Sequence, residues 1–143
     1  MSNINDGLKL KGKLTIALNG ETVQEVDNLV VTTGKGYVAS RIKDATATAM
    51  SHMAIGSGTN NPAAGDTALQ TELGRVALTS TTVSAAVVTY VATFGAGTGT
   101  GAVTEAGILN ASSSGTLLCR TEFSVVNKGS SDSMTVTWTV TVS

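Results

Sequence analysis

Met134-Thr135-Val136-Thr137-Trp138-Thr139-Val140-Thr141-Val142 alternates apolar residues with threonine without a slip. Side chains of an extended strand point to opposite faces with a period of two. This stretch is therefore a half-buried β-strand, with Met134, Val136, Trp138, Val140 and Val142 as core anchors and the four threonines on the other face. It carries the only Trp of the chain and ends one residue before the C-terminus. Trp at such a place implies that the strand is pinned into a sheet. The threonine face is neutral, neither charged like an ordinary solvated sheet nor apolar like a second core, and it suits packing against other molecules.

Working outward, the composition agrees with a β fold. Thr and Ser supply about a quarter of the 143 residues, with 16 Gly, one Pro, 13% charged and 3% aromatic residues. Thr and Val favour strands, while Gly and Ser punctuate turns. Leu8, Leu10, Leu14, Ile16 and Leu18 share one parity, opposite Lys9, Lys11 and Lys13, with Gly12 as a candidate bulge. Asn19-Gly20 then signals a type I′ hairpin, since both central residues of that turn need positive φ. The return strand is expected at about 22–26, with a short extended run at 29–32.

Two helices are expected, at Thr33–Asp44 with Thr33 as cap and Tyr37, Arg41 and Ala45 four apart, and at Thr67–Leu73 with Asp66 or Thr67 as cap and Gly74 as C-cap. Further strands are expected at His52–Ile55, Arg75–Thr82, Ala86–Phe94, Ala102–Asn110 and Thr116–Val125. The pattern is one domain over residues 1–143: an all-β sandwich or jelly roll of about eight antiparallel strands, with one or two short helices in the N-terminal half.

Composition also excludes functions. A net charge of −1 and one Cys argue against a general nucleic-acid binder, a disulfide framework and a Cys-based zinc site. The polar stretch at residues 1–6 lacks a signal-peptide core, and no run reaches the roughly 18 apolar residues of a membrane span. Synthesis in a cytoplasm is the simple expectation. His52, the only histidine, has neither a nucleophile nor an orienting carboxylate at a recognisable spacing, and a metal-binding cupin would need several. Cys119 reads as a small buried hydrophobe. Gly95-Ala96-Gly97-Thr98-Gly99-Thr100-Gly101 lacks the Lys and following helix of a phosphate loop and reads as a mobile hairpin loop. No catalytic, cofactor or metal site is expected. Candidate contacts are the Lys9/Lys11/Lys13 cluster, which is either a protected strand face or a basic contact, with Thr59, Asn60 and Asn61 in one loop and Thr98 and Thr100 in the other.

The order Ile55-Gly56-Ser57-Gly58-Thr59, Pro62, Gly65-Asp66-Thr67-Ala68-Leu69, Glu72-Leu73, Thr89-Tyr90-Val91-Ala92-Thr93-Phe94, Thr104-Glu105-Ala106-Gly107-Ile108, Gly115-Thr116-Leu117-Leu118-Cys119-Arg120 and Lys128 before the Thr/Val/Trp strand resembles a group of small structural proteins of tailed bacteriophages. The likeness runs from about Leu29 to the C-terminus. It implies a non-enzymatic virion component, with a capsid cement (decoration) protein on the head exterior as the first expectation. That role implies the major capsid protein as partner, self-association as a dimer or trimer, and no contact with nucleic acid or membrane. The alternative it implies is a tail-fibre or receptor-binding module, against which stands the absence of a fibrous repeat.

Overall fold

The computed structural model describes residues 7–43 and 47–143; residues 1–6 and the expected helix end at Asp44 and Ala45 lie outside the described residues. β1 (Leu10–Leu18) and β2 (Glu21–Asp27) form the expected hairpin, with Asn19 at φ 51° and Gly20 at φ 84°. A short β3 (Leu29–Val30) leads into α1 (Thr32–Ile42), followed by β4 (His52–Gly56), β5 (Glu72–Ala77), β6 (Ser80–Ser84), β7 (Val87–Phe94), β8 (Gly101–Leu109), β9 (Leu117–Lys128) and β10 (Met134–Val142). All pairings are antiparallel, in two five-stranded sheets ordered β2-β1-β10-β7-β6 and β3-β9-β8-β4-β5. The all-β sandwich expected from the alternation is therefore observed, with ten strands rather than about eight and one helix among the described residues.

Both sheets contribute to one core, with Leu14, Ile16, Phe94 and Trp138 from the first sheet meeting Met53, Ile55, Ile108 and Phe123 from the second. Met134, Val136, Trp138 and Val140 are buried as expected, whereas Val142 sits half-buried where β10 runs out of the sandwich. Trp138 is fully buried, and its indole N–H donates to Asn28 Oδ1 at 3.0 Å. Gly12 is the reason Asn28 fits: a Cβ there would lie 1.7 Å from Asn28 Oδ1. The expected bulge at Gly12 is absent from the β1–β10 register, and the shift in this hairpin falls at Ile16/Ala17.

Four further expectations are corrected. Thr33 does not cap α1; Val31 holds that position without a side-chain cap bond, and Thr33 Oγ1 donates to the Leu117 carbonyl, tying α1 to β9. No helix forms at 67–73. Gln70 and Thr71 donate their N–H groups to the Glu105 carboxylate instead of to a helical turn, Asp66 accepts from Ala63 N in a tight turn, and Gly74 lies in β5. The expected strand Arg75–Thr82 is two strands in different sheets, because the chain crosses the sandwich at Leu78–Thr79, where Leu78 N bonds Ser51 O and Thr79 N bonds Val91 O. Likewise, Gly95–Gly101 is no hairpin: it carries the chain from β7 in one sheet to β8 in the other, with Gly97, Gly99 and Gly101 at positive φ.

The β6–β7 turn, Ala85-Ala86, places Ala85 at φ 52°. A two-residue hairpin with positive φ at its first central position favours Gly, because a Cβ crowds the backbone there. Ala85→Gly is expected to raise stability by about 0.5–1 kcal/mol in urea denaturation. A loss of stability would show that the turn carries no strain.

Candidate functional site

The two outer faces of the sandwich differ. That of the second sheet is covered by the chain itself. Leu69, from the segment between β4 and β5, packs with Val31, Ala54, Leu109 and Leu117 in a second small core. Beside it, Glu105 is fully buried on β8. One carboxylate oxygen accepts from Gly58 N and Thr71 N, both at 2.7 Å; the other accepts from Gln70 N at 2.8 Å and Arg120 Nε at 3.0 Å. Arg120, 2% exposed, also donates to Asp66 Oδ2 and to the Asn60 carbonyl, each at 3.0 Å. Thr104 Oγ1 donates to Gly58 O. A buried charge costs several kcal/mol unless paired and hydrogen-bonded, and here each charge is both. The network clamps the 57–71 segment onto the sheet.

The outer face of the first sheet is open among the described residues. Its register aligns side chains in rows across the strands: Asp27, Lys13, Thr139, Thr89 and Thr82; then Glu25, Thr15, Thr137, Val91 and Ser80; then Thr22, Ala17, Thr135 and Thr93. From β10 through β7 to β6 this face carries no charge, only Thr, Ser and Val. Thr93 and Thr135 share a hydroxyl–hydroxyl bond of 3.0 Å, which fixes neighbouring rotamers. Thr135, Thr137, Thr139 and Thr141 are half-buried by their strand neighbours alone.

Lys9, Lys11 and Lys13 are exposed at the β1 margin of this face, and Lys13 Nζ lies 3.7 Å from Glu25. At such exposure the pair is worth little, so the lysines stay available to a partner. The other candidate contacts lie elsewhere. Thr59, Asn60 and Asn61 are exposed on the clamped segment over the second sheet. Thr98 packs against Gly74 and is half-buried, while Thr100 is exposed. Their loop begins at Phe94, level with Leu18 and Met134, whereas Lys9 and Lys11 sit at the Leu10/Val142 end. Eight strand residues separate those ends, about 26 Å. The lysines and the loops thus form separate patches.

The side chains with reactive groups lie within the sheets and the core. His52 is half-buried on β4, its Nδ1 2.7 Å from Ser51 Oγ. Cys119 is enclosed in the core, and burial pushes its thiol well above the usual range. Burial likewise raises the Tyr90 phenol to about 12. No group of three His, Cys, Asp or Glu converges among the described residues. Lys128, also buried, donates to the Gly95 carbonyl at 2.8 Å and holds the sheet-crossing loop. Sequence reading missed Glu105, Arg120 and Lys128 as organisers. The available signal was a charged residue inside an apolar strand, as in Val103-Thr104-Glu105-Ala106-Gly107-Ile108. Compared with known proteins, the chain matches no family model, and neither a curated protein nor a solved structure shows significant similarity to it.

Proposed function

We propose that the protein is a non-enzymatic structural component of a bacteriophage virion, acting as a cement protein on the capsid exterior. The observation that carries this reading is the open face of the first sheet, uncharged over three strands and bordered at β1 by Lys9, Lys11 and Lys13, with Glu25 and Asp27 beyond them on β2. Such a face loses little on desolvation, because hydroxyl groups can exchange water for a partner's hydrogen bonds while no charge is stranded. The lysine margin supplies orientation against an acidic surface such as a region of the major capsid protein. The clamped second sheet keeps the domain rigid, so little ordering entropy is lost on docking. Repetition over a shell converts modest single contacts into firm attachment.

The test is to disrupt purified virions, separate heads from tails and locate the chain. Many copies on heads support the cement role, whereas a few copies on tails would replace it with the tail-fibre reading. For the lysine margin, K9E/K11E/K13E is expected to weaken binding to heads stripped of this protein by at least about tenfold, given the several kcal/mol cost of like-charge juxtaposition. Unchanged occupancy would remove that margin from the interface.

A further inference from the structure

β6 is an edge strand of the first sheet, and all five of its residues are exposed, Val83 at 72%. A sheet edge offers a row of unpaired N–H and C=O groups, and proteins protect it with charge, brevity, bulges or cover. The other edges are protected. β2 carries Glu21, Glu25 and Asp27; β5 carries Glu72 and Arg75; β3 is two residues long and continues into α1. β6 has no charge and no proline, and it pairs with β7 without a register shift. We infer that β6 is an association edge whose occupant is β6 of a second copy, antiparallel across a two-fold axis at Thr82.

The sequence of the edge selects a second copy. Reversed about Thr82, Ser80-Thr81-Thr82-Val83-Ser84 places Ser80 opposite Ser84, Thr81 opposite Val83 and Thr82 opposite itself. A two-fold interface requires such self-complementarity, and pairs of β-branched residues directly opposite each other stabilise an antiparallel ladder. The same operation on β2 would set carboxylates against one another.

The side chains agree on both faces. Ser80, Thr82 and Ser84 stand level with Val91, Thr89 and Val87, so they continue the neutral outer rows. Pairing would extend that face to ten strands, with the lysine-bearing strands near its two outer margins. On the inner side, Thr81 and Val83 stand level with Tyr90 and Val88, at the mouth of a cavity of about 380 Å³ between the sheets. There the partner's Thr81 would lie beside Val83 and withdraw its exposed isopropyl group from water. A five-residue pairing lies at the small end of specific interfaces, so the free dimer is weak, with Kd of roughly 100 µM.

Sedimentation equilibrium of the purified full chain tests this apart from any location in a virion. Wild type is expected to follow a monomer–dimer equilibrium. T82K and T82E each set like charges on the dyad and should raise Kd at least about tenfold, whereas an equimolar mixture of the two should associate at least as well as wild type. T82C should form a disulfide-linked dimer on mild oxidation, because facing residues in an antiparallel pair have Cα atoms about 4.5–5.5 Å apart, within disulfide range. Wild type that stays monomeric to about 1 mM, a trimer, or a T82K variant that associates like wild type would overturn the inference.

Discussion

Glu105→Gln is expected to lower stability by about 3–5 kcal/mol, the cost of breaking a buried ion pair at one partner. In a domain of this size that corresponds to a fall in Tm of roughly 10 °C or more. Both carboxylate oxygens are committed, each to two N–H donors. Whichever of the two becomes the amide NH₂ would face two donors with a third and leave them unsatisfied in the interior. Arg120 would also lose a fully buried counter-charge. The loss should begin locally, since the acceptor removed is the one that holds Gly58, Gln70 and Thr71. Limited proteolysis should therefore cut within residues 57–71 before the global transition seen by circular dichroism. If Glu105→Gln unfolds within about 1 kcal/mol of wild type, the carboxylate does not hold the clamp in its ionised form.

Trp138→Ala is expected to cost about 3–5 kcal/mol, from lost burial together with the cavity left behind. The indole is fully enclosed, and its N–H is the partner of Asn28 Oδ1. Asn28 Nδ2 already lacks a hydrogen-bond partner among the described residues, so truncation would leave the whole amide without its anchor. Trp138→Phe separates the two contributions: most of the volume stays and the Asn28 bond is lost, for about 1–3 kcal/mol. Because this is the only Trp, the comparison is read by far-ultraviolet circular dichroism in urea rather than by fluorescence. Equal losses for the two variants would mean that the hydrogen bond rather than packing dominates the site.

Where the chain obeys local rules, its sequence was readable. Period-two alternation located β10, and the demand of Asn19-Gly20 for positive φ located the first hairpin. The helix expected at Thr67–Leu73 failed for a non-local reason. Its capping pattern is sound, but the N–H groups of Gln70 and Thr71 are taken by Glu105, more than thirty residues away. The strand expected at Arg75–Thr82 failed because no Gly or Pro marks the point where the chain changes sheets. The lysine cluster was legible as an exposed face of β1, whereas its distance from the two candidate loops depended on which strands became neighbours.

By itself, the sequence determined the class of fold and the chemistry of each strand face, because side-chain direction in a strand follows from residue parity alone. It set threonine against a buried Trp, lysine against leucine, and left no constellation of reactive groups close in the chain. Tertiary structure alone decided which face stays open. The second sheet is sealed because Glu105, Arg120 and Asp66 meet from three separate segments and close the 57–71 segment over it. The first sheet receives no such cover among the described residues. Charges far apart in the chain can choose between two faces only once the fold has brought them within hydrogen-bonding distance in a dry interior, where an unpaired charge is far costlier than on the surface.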